Sequence, residues 1–381
     1  MNFTLHAVGD VAPCRADPSS IFRAAPSLPA ADLVFGQMEC PLTSGGAPSP
    51  HAKLAMRTAP AVAKALRSAG FSIMSVAGNH ALDYGASALL ETVRHLADAG
   101  IAASGAGRNV VEAVRPAVID AAGRRAALLS FSSILPAGYA ADQTRPGCAP
   151  MRAYTHYHQV EPDQPGTPPK IITIPDQTDL ARLVEAVRLA KVECDLVFVS
   201  MHWGIHFVRA DIADYQRSVA HAAIEAGADA VLGHHPHLLK GIDFHRGKPI
   251  FYSLGNFAIE QPSAYKADIH LDQSFAELRA LNSGFADQGY MLPEETRHTV
   301  IARCSFGPGG AVSVTLALCW IDDGNVPHEL SPGTPEFESA ASYLAAITRE
   351  AGMATSYEPT ESGLAVIPGA ELAPIQQQVQ P

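Results

Sequence analysis

Three histidines, His234, His235 and His237, fall within four positions of one short stretch, VLGHHPHLLKG, at residues 231–241. A buried imidazole without hydrogen-bond partners is costly, so a core has little use for such a cluster. Neutral imidazole is, however, a metal ligand and a general acid or base. An apolar run, ADAVL, leads into the cluster, and other apolar runs of the chain stop in the same way. The first ends at Gly-Asp, offering Asp10, and the second runs into GQMECPLT, offering Gln37 and Glu39. The third ends at GNHALDYG, offering Asn79, His80 and Asp83, and a later one ends at HWGIHF, offering His202 and His206. Oxygen and imidazole donors mixed in this way suit a divalent cation. His80 and Asp83 are three residues apart, close enough for the carboxylate to orient the imidazole and raise its basicity. The competing reading of Asp83 is a helix cap. For His234, whose neighbours carry the stronger signal, it is a supporting or surface role.

The elements that must hold these residues alternate. Short apolar runs at 3–9, 32–36, 71–77, 125–131, 195–201, 229–233 and 249–254 read as strands. Stretches at 60–70, 86–100, 178–191 and 214–227 repeat apolar residues every three or four positions and read as helices. Strands alternating with helices predict an α/β layered fold. Loops past the carboxyl ends of strands converge in such folds, which would gather the donors into one crevice. Residues 1–330 are expected to form a single domain, with a Pro-, Gly-, Tyr- and His-rich loop insertion at 135–177 and a polar insertion at 260–298. A late hairpin over 299–322, a C-terminal helix over 331–357 and a flexible Pro- and Gln-rich tail from 358 complete the expected order.

Composition limits the function. The 381 residues, 47% of them hydrophobic, suffice for a large core. The formal charge of −11, with no Lys/Arg cluster, argues against nucleic acid as a partner. No stretch approaches the roughly 18 apolar residues that span a bilayer, and the start, MNFTLHAVGDVAP, has neither a basic segment nor a long apolar one. No membrane partner and a cytoplasmic location are expected. The six scattered cysteines form no CxxC pair and read as neither a disulfide framework nor a zinc knuckle.

The motifs in this order, Gly-Asp, a Glu before PLT, GNHALDYG, HWG, GHHPH and YSLGNF at 252–257, resemble the CapA family. That family is named for poly-γ-glutamate capsule synthesis and sits within the calcineurin-like metallophosphoesterase superfamily. The resemblance spans about residues 3–258 and implies a calcineurin-like four-layer α/β/β/α sandwich of two mixed sheets. It also implies that Asp10, Glu39, Asn79, His202, His235 and His237 are the metal ligands and that His80 is the acid/base histidine. The chain departs from the superfamily pattern at the first motif, where Ala12 stands in place of a ligating His. Glu39 replaces a bridging Asp, Gln37-Met38-Glu39 stands for Asn-Leu-Glu, and His206 stands where a Glu is frequent. Fewer ligands favour one ion over two, and the oxygen-rich remainder favours Ca²⁺, Mg²⁺ or Mn²⁺ over zinc. No organic cofactor is expected.

Two acid/base sets, His80 with Asp83 and His235 with His237 and Asp10, suit a reaction that removes a Cα proton and returns one to the other face. The chain looks closest to the lasso-peptide epimerases within the family. The expected function is therefore metal-dependent epimerisation of a residue, at the C-terminus of a ribosomal precursor peptide. The alternatives are a metallophosphoesterase or related hydrolase, and a non-enzymatic capsule-assembly protein. Arg145, Arg152 and Tyr154 in the insertion, with His206 and Arg209 after the HWG motif, are the candidate substrate contacts, since Arg forks grip carboxylates and aromatics pack side chains. The competing reading of the insertion is an ordinary solvated loop.

Overall fold

The computed structural model describes residues 2–52, 54–260, 276, 280, 284–285 and 290–369. Two sheets form its centre. In the larger, the strands Phe3–Ala12, Leu33–Met38, Ile73–Ser75 and Ala102–Ser104 run parallel. An antiparallel set continues it from the other side of Phe3–Ala12: His298–Phe306, Val312–Ile321, Gly363–Ile367 and Ser356–Thr360. In the six-stranded sheet, Arg124–Ser132, Leu196–His202, Ala230–His234 and Lys248–Phe251 are parallel, and antiparallel strands Ala117–Ala121 and Ile242–His245 close the edges.

Alternation along the strands builds the layers. Phe3, Leu5, Leu33, Phe35 and Ile73 of one sheet meet Leu128, Leu196, Phe198, Leu232 and Phe251 of the other in one buried cluster. The intervening side chains face outward. Val34 and Met38 pack on Val62 and Leu66 of the helix Val62–Ser68 and on Leu96 of Gly85–Asp98. Val197, Val199 and Val231 pack on Leu183 and Val187 of Gln177–Glu193 and on Val219 and Ala223 of Asp214–Ala226. Strands buried on both faces read as continuous apolar runs, which is why they stand out in the sequence. The result is the α/β/β/α sandwich that the resemblance implies. Full burial of each such aliphatic or aromatic side chain contributes about 1.5–3 kcal/mol.

Local chemistry sets the helix ends. Asp176 accepts from the backbone N–H groups of Thr178 and Asp179 and starts Gln177–Glu193. Thr334 caps Pro335–Glu350, which has proline in its first turn.

Two expectations change. The 135–177 insertion is not a plain loop: Gly147–Cys148 pairs with Ala106–Gly107, and Ala153–His158 and Lys170–Pro175 form a hairpin. The C-terminal segment is not a tail from residue 358. Ser356–Thr360 and Gly363–Ile367 form a hairpin that extends the large sheet, driven by burial of Leu364 and Val366. Most of the 260–298 insertion, and the chain from 370 onward, lie outside the described residues.

One crossing builds the crevice. The chain leaves the six-stranded sheet after Phe251 and joins the larger one at Asn256–Ile259, beside Phe3–Ala12. The Gly255 carbonyl, at the turn, accepts from the Asp10 N–H at 3.1 Å. A Cβ on Gly9 would lie 1.8 Å from that carbonyl oxygen, so only glycine lets the two backbones meet there.

Candidate metal centre

Strand ends from both sheets bring the donors together. Asp10 and Glu39 come from adjacent parallel strands of the large sheet and are buried. Asn79 and His80 follow the third strand. His202 ends the strand Leu196–His202, and His234 and His235 follow alongside it. His235 and His237 hold φ values of 99° and 58°, a region that side-chain-bearing residues rarely adopt. Such strain persists where surrounding structure imposes it, and it clusters at functional sites.

The distances define a convergent set. Asn79 Oδ1 lies 2.6 Å from His202 Nε2, which lies 3.1 Å from His235 Nδ1. The His235 N–H donates to Asp10 Oδ2 at 3.3 Å, and His237 Nδ1 stands 3.5 Å from the same oxygen. Glu39 Oε2 is 3.9 Å from His202 Nδ1. His237 Nδ1 is held 2.7 Å from Asn256 Oδ1, and the His206 ring stacks on His235 with centroids 3.9 Å apart.

The fit to a cation rests on the buried oxygens. Asp10 Oδ1 and both carboxylate oxygens of Glu39 receive no hydrogen bond, nor does Gln37 Oε1 beside them. Buried carboxylates without donors are costly unless a positive charge meets them. Burial, and then the Asp10 and Asp83 carboxylates, pushes Glu39 well above the usual carboxylate range. Burial, and then the neighbouring imidazoles, holds His202 and His235 well below the usual histidine value. They are therefore neutral, the form that ligates metals. The donor set fits a divalent cation.

His234 needs a different role. Asp10, His202 and His234 each bring a ligand atom within 4.8 Å of the others, which by distance alone makes a triad. Both nitrogens of His234 are nevertheless taken: Nε2 lies 2.7 Å from Ser200 Oγ and Nδ1 lies 2.8 Å from His202 Nδ1. Burial lowers this ring to about 4, so it is neutral. Neutral imidazole and hydroxyl can each donate or accept, so the chain Ser200–His234–His202 supports either tautomer of His202. His234 thus bridges Ser200 and His202.

His80 and Asp83 pair. His80 Nδ1–H donates to Asp83 Oδ2 at 2.7 Å. Asp83 is buried and also accepts from the Met56 N–H at 2.7 Å and the Tyr139 hydroxyl at 3.0 Å. With Nδ1 committed, His80 Nε2 is the atom left to work. His80 directly follows Asn79, whose Oδ1 contacts His202 Nε2.

The substrate contacts expected from sequence divide. His206 stacks on the centre. Arg152 is bound two-pronged by Asp179, at 2.6 and 2.9 Å, and the Tyr154 hydroxyl donates to Asp176 at 2.7 Å. Arg209 is held by Glu350 at 2.8 Å and by Glu295. The Arg152 and Arg209 forks are thus held by protein carboxylates. Arg145 pairs with Asp142 at 3.2 Å on an exposed turn, near the segment that carries Tyr139. Tyr139, Ser200 and Asn256 join the site beyond the residues that the motifs point to. Asn256 sits inside the quoted YSLGNF motif, whereas Tyr139, 56 residues from Asp83, gives no sequence signal.

Fold and site together define an α/β sandwich with a candidate metal centre at its strand ends. Residues 4–261 match the family model of the bacterial capsule synthesis protein PGA_cap, and the chain belongs to that family. It is 31% identical over 238 residues to the PGA biosynthesis protein CapA of Bacillus subtilis (strain 168), covering 62% of this chain and 55% of that protein. It is 32% identical over 232 residues to a probable polyglutamine synthesis accessory protein of Mycobacterium tuberculosis, covering 60% of this chain and 55% of that one. The chain spans about half the length of the curated relatives it matches. A putative 5'-nucleotidase from Staphylococcus aureus aligns over 92% of this chain and 58% of its own, at TM-score 0.42 and 11% identity. Among the described residues, no helix is long and apolar enough to cross a membrane.

Proposed function

We propose that the protein is a metal-dependent peptide epimerase that inverts one residue of a ribosomally made precursor peptide, as in lasso-peptide biosynthesis. The observation that carries the reading is the pair of acid/base groups at one centre: the His80–Asp83 dyad, and His237, whose Nδ1 faces Asp10 and Asn256. One group takes the Cα proton as the C–H electron pair moves into the adjacent carbonyl. The other returns a proton to the opposite face, so the product is an isomer and no co-reactant is consumed. Asp10, Glu39, Asn79, His202 and His235 would hold the cation, with His237 beside them. When bound, the cation supplies positive charge for the enolate oxygen. Ca²⁺, Mn²⁺ or Mg²⁺ suits this oxygen-rich set. Asp83 keeps His80 Nε2 directed at the substrate.

The test incubates the intact protein and a divalent cation with a precursor peptide encoded beside its gene, followed by hydrolysis and chiral analysis. The expected result is one D-residue, lost with His80→Ala. Hydrolysis of a simple phosphoester with added Mn²⁺, without a D-residue, would replace this reading with a phosphoesterase.

A further inference from the structure

The hairpin Ala153–His158/Lys170–Pro175 carries apolar side chains into solvent on both faces. Tyr157 (71% exposed) lies across from Ile171 (60%) on one face, and Tyr154 (50%) across from Ile174 (43%) on the other. Of the eleven large apolar side chains exposed among the described residues, five belong to this segment. A bare two-stranded ribbon is marginally stable in water and gains from a further strand.

The two edges differ. The Thr173 N–H points away from the hairpin partner and donates to Asp214 Oδ2 at 3.1 Å, and Thr173 Oγ1 accepts from the Tyr215 N–H. The start of the helix Asp214–Ala226 therefore covers the edge of Lys170–Pro175. Among the described residues, no strand pairs with the opposite edge, Ala153–His158. Antiparallel pairing alternates, so the phase at Thr173 fixes the phase of its partner Thr155. The Asp176 N–H donates to the Arg152 carbonyl at 2.7 Å, which sets the same phase independently. Thr155 and Tyr157 thus turn their N–H and C=O groups outward.

The chain enters this strand from a segment that pairs beside Ser132 of the six-stranded sheet. Met151 N–H donates to the Ser132 carbonyl at 2.8 Å, and Ser132 is paired with His202. Met151 and His202 are two strand spacings apart, about 10 Å. A peptide whose reacting residue sat at the centre would run out along the edge.

We infer that Ala153–His158 is a docking strand: an extended segment of the peptide substrate adds to it as a third strand, away from the residue that reacts. The bound segment is about six residues long and free of proline in its paired positions. Its alternating aromatic or β-branched side chains meet Tyr154 and Ile174 on one face and Tyr157 and Ile171 on the other. This rests on the reading of the protein as a peptide-modifying enzyme.

The probe is a display library of random linear 16-residue peptides selected on the intact chain, with enriched peptides then synthesised. Thr155→Pro and Tyr157→Pro each delete an outward N–H and leave the bonds to Lys170–Pro175 intact. Each is expected to weaken binding about tenfold or more. N-methylation of the peptide at alternate positions on wild-type protein is expected to abolish binding in one phase and spare it in the other. This arm does not depend on how the proline variants fold. Binding should also slow hydrogen exchange at the Thr155 and Tyr157 amides. The inference is overturned if no peptide is enriched, or if binding ignores both the proline variants and the methylation phase. It is also overturned if the edge proves to pair with a second copy of the chain, seen as self-association that the proline variants abolish. The same peptides incubated in D₂O separate the two readings. Edge-dependent binding without Cα labelling retains the dock and removes the epimerase; labelling that ignores the edge does the reverse.

Discussion

Asp83→Asn separates the charge of the dyad from its shape. Asp83 accepts three hydrogen bonds, from His80 Nδ1, the Met56 N–H and the Tyr139 hydroxyl. An Asn amide can keep all three neighbours satisfied. Its oxygen faces His80 and Met56, and its NH₂ donates to the Tyr139 hydroxyl, which accepts as readily as it donates. The fold should therefore melt within about 1 kcal/mol of wild type. The negative charge that stabilises a protonated His80 is lost. A charge-assisted hydrogen bond is worth about 1.5–3 kcal/mol and a neutral one about 0.5–1.5, so roughly 1–2 kcal/mol disappears from the proton-transfer step. That corresponds to a rate about 5- to 30-fold lower. Asp83→Ala instead strands three donors and should lose about 3 kcal/mol or more of stability. The assay pairs thermal melts of both variants with initial rates of Cα deuterium incorporation into the precursor peptide. An Asp83→Asn protein that is fully folded and as fast as wild type would refute the dyad as the working acid/base set.

Further outcomes follow from the same geometry. Removing bound metal with a chelator should lower the melting temperature, and returning Mn²⁺, Mg²⁺ or Ca²⁺ at about 100 times its Kd should restore about 2.7 kcal/mol. Glu39→Gln relieves the crowding with Asp10, so the metal-free variant should melt no lower than metal-free wild type while showing a smaller rise with metal. Gly9→Ala drives a Cβ into the Gly255 carbonyl and should cost on the order of 3 kcal/mol or more, read by thermal melts. Gly45→Ala, with nothing within 4 Å of the added Cβ, should stay within about 0.5 kcal/mol. Lys240 is buried, and its ammonium donates to the Val208 and Asp211 carbonyls. Burial lowers it to about 8 from 10.5. The folded form then binds fewer protons than the unfolded one between these values, so wild type gains stability as pH rises through that window. Against Lys240→Met, the gain from pH 7 to 10.5 should reach about 3 kcal/mol in paired denaturant titrations.

The centre was legible because chemistry at strand ends repeats a simple pattern. Asp10, Glu39, His202 and the 234–237 histidines each close an apolar run, and runs buried on both faces are hard to mistake. The roles inside the cluster were less legible. Nothing in GHHPH distinguishes His234, turned toward Ser200, from His235, turned toward His202, because side-chain direction depends on the turn that follows the strand. The partners of the arginines were illegible for a related reason. Arg152 and Arg209 have the right chemistry for a carboxylate, but Asp179 and Glu350, 27 and 141 residues away, reach them first. The hairpin at 153–175 hid behind its prolines and polar turn. The strand pair at 356–367 hid behind a sequence read as a tail, although Leu364 and Val366 are core residues.

The central claim is that this centre exchanges a peptide Cα proton. The most direct measurement incubates protein, divalent cation and precursor peptide in D₂O and locates the label by fragmentation mass spectrometry. The expected result is one deuterium at a single Cα, no cleavage, and loss of labelling with His80→Ala and with chelator. An intact, unlabelled peptide with a metal-loaded and folded protein would contradict it.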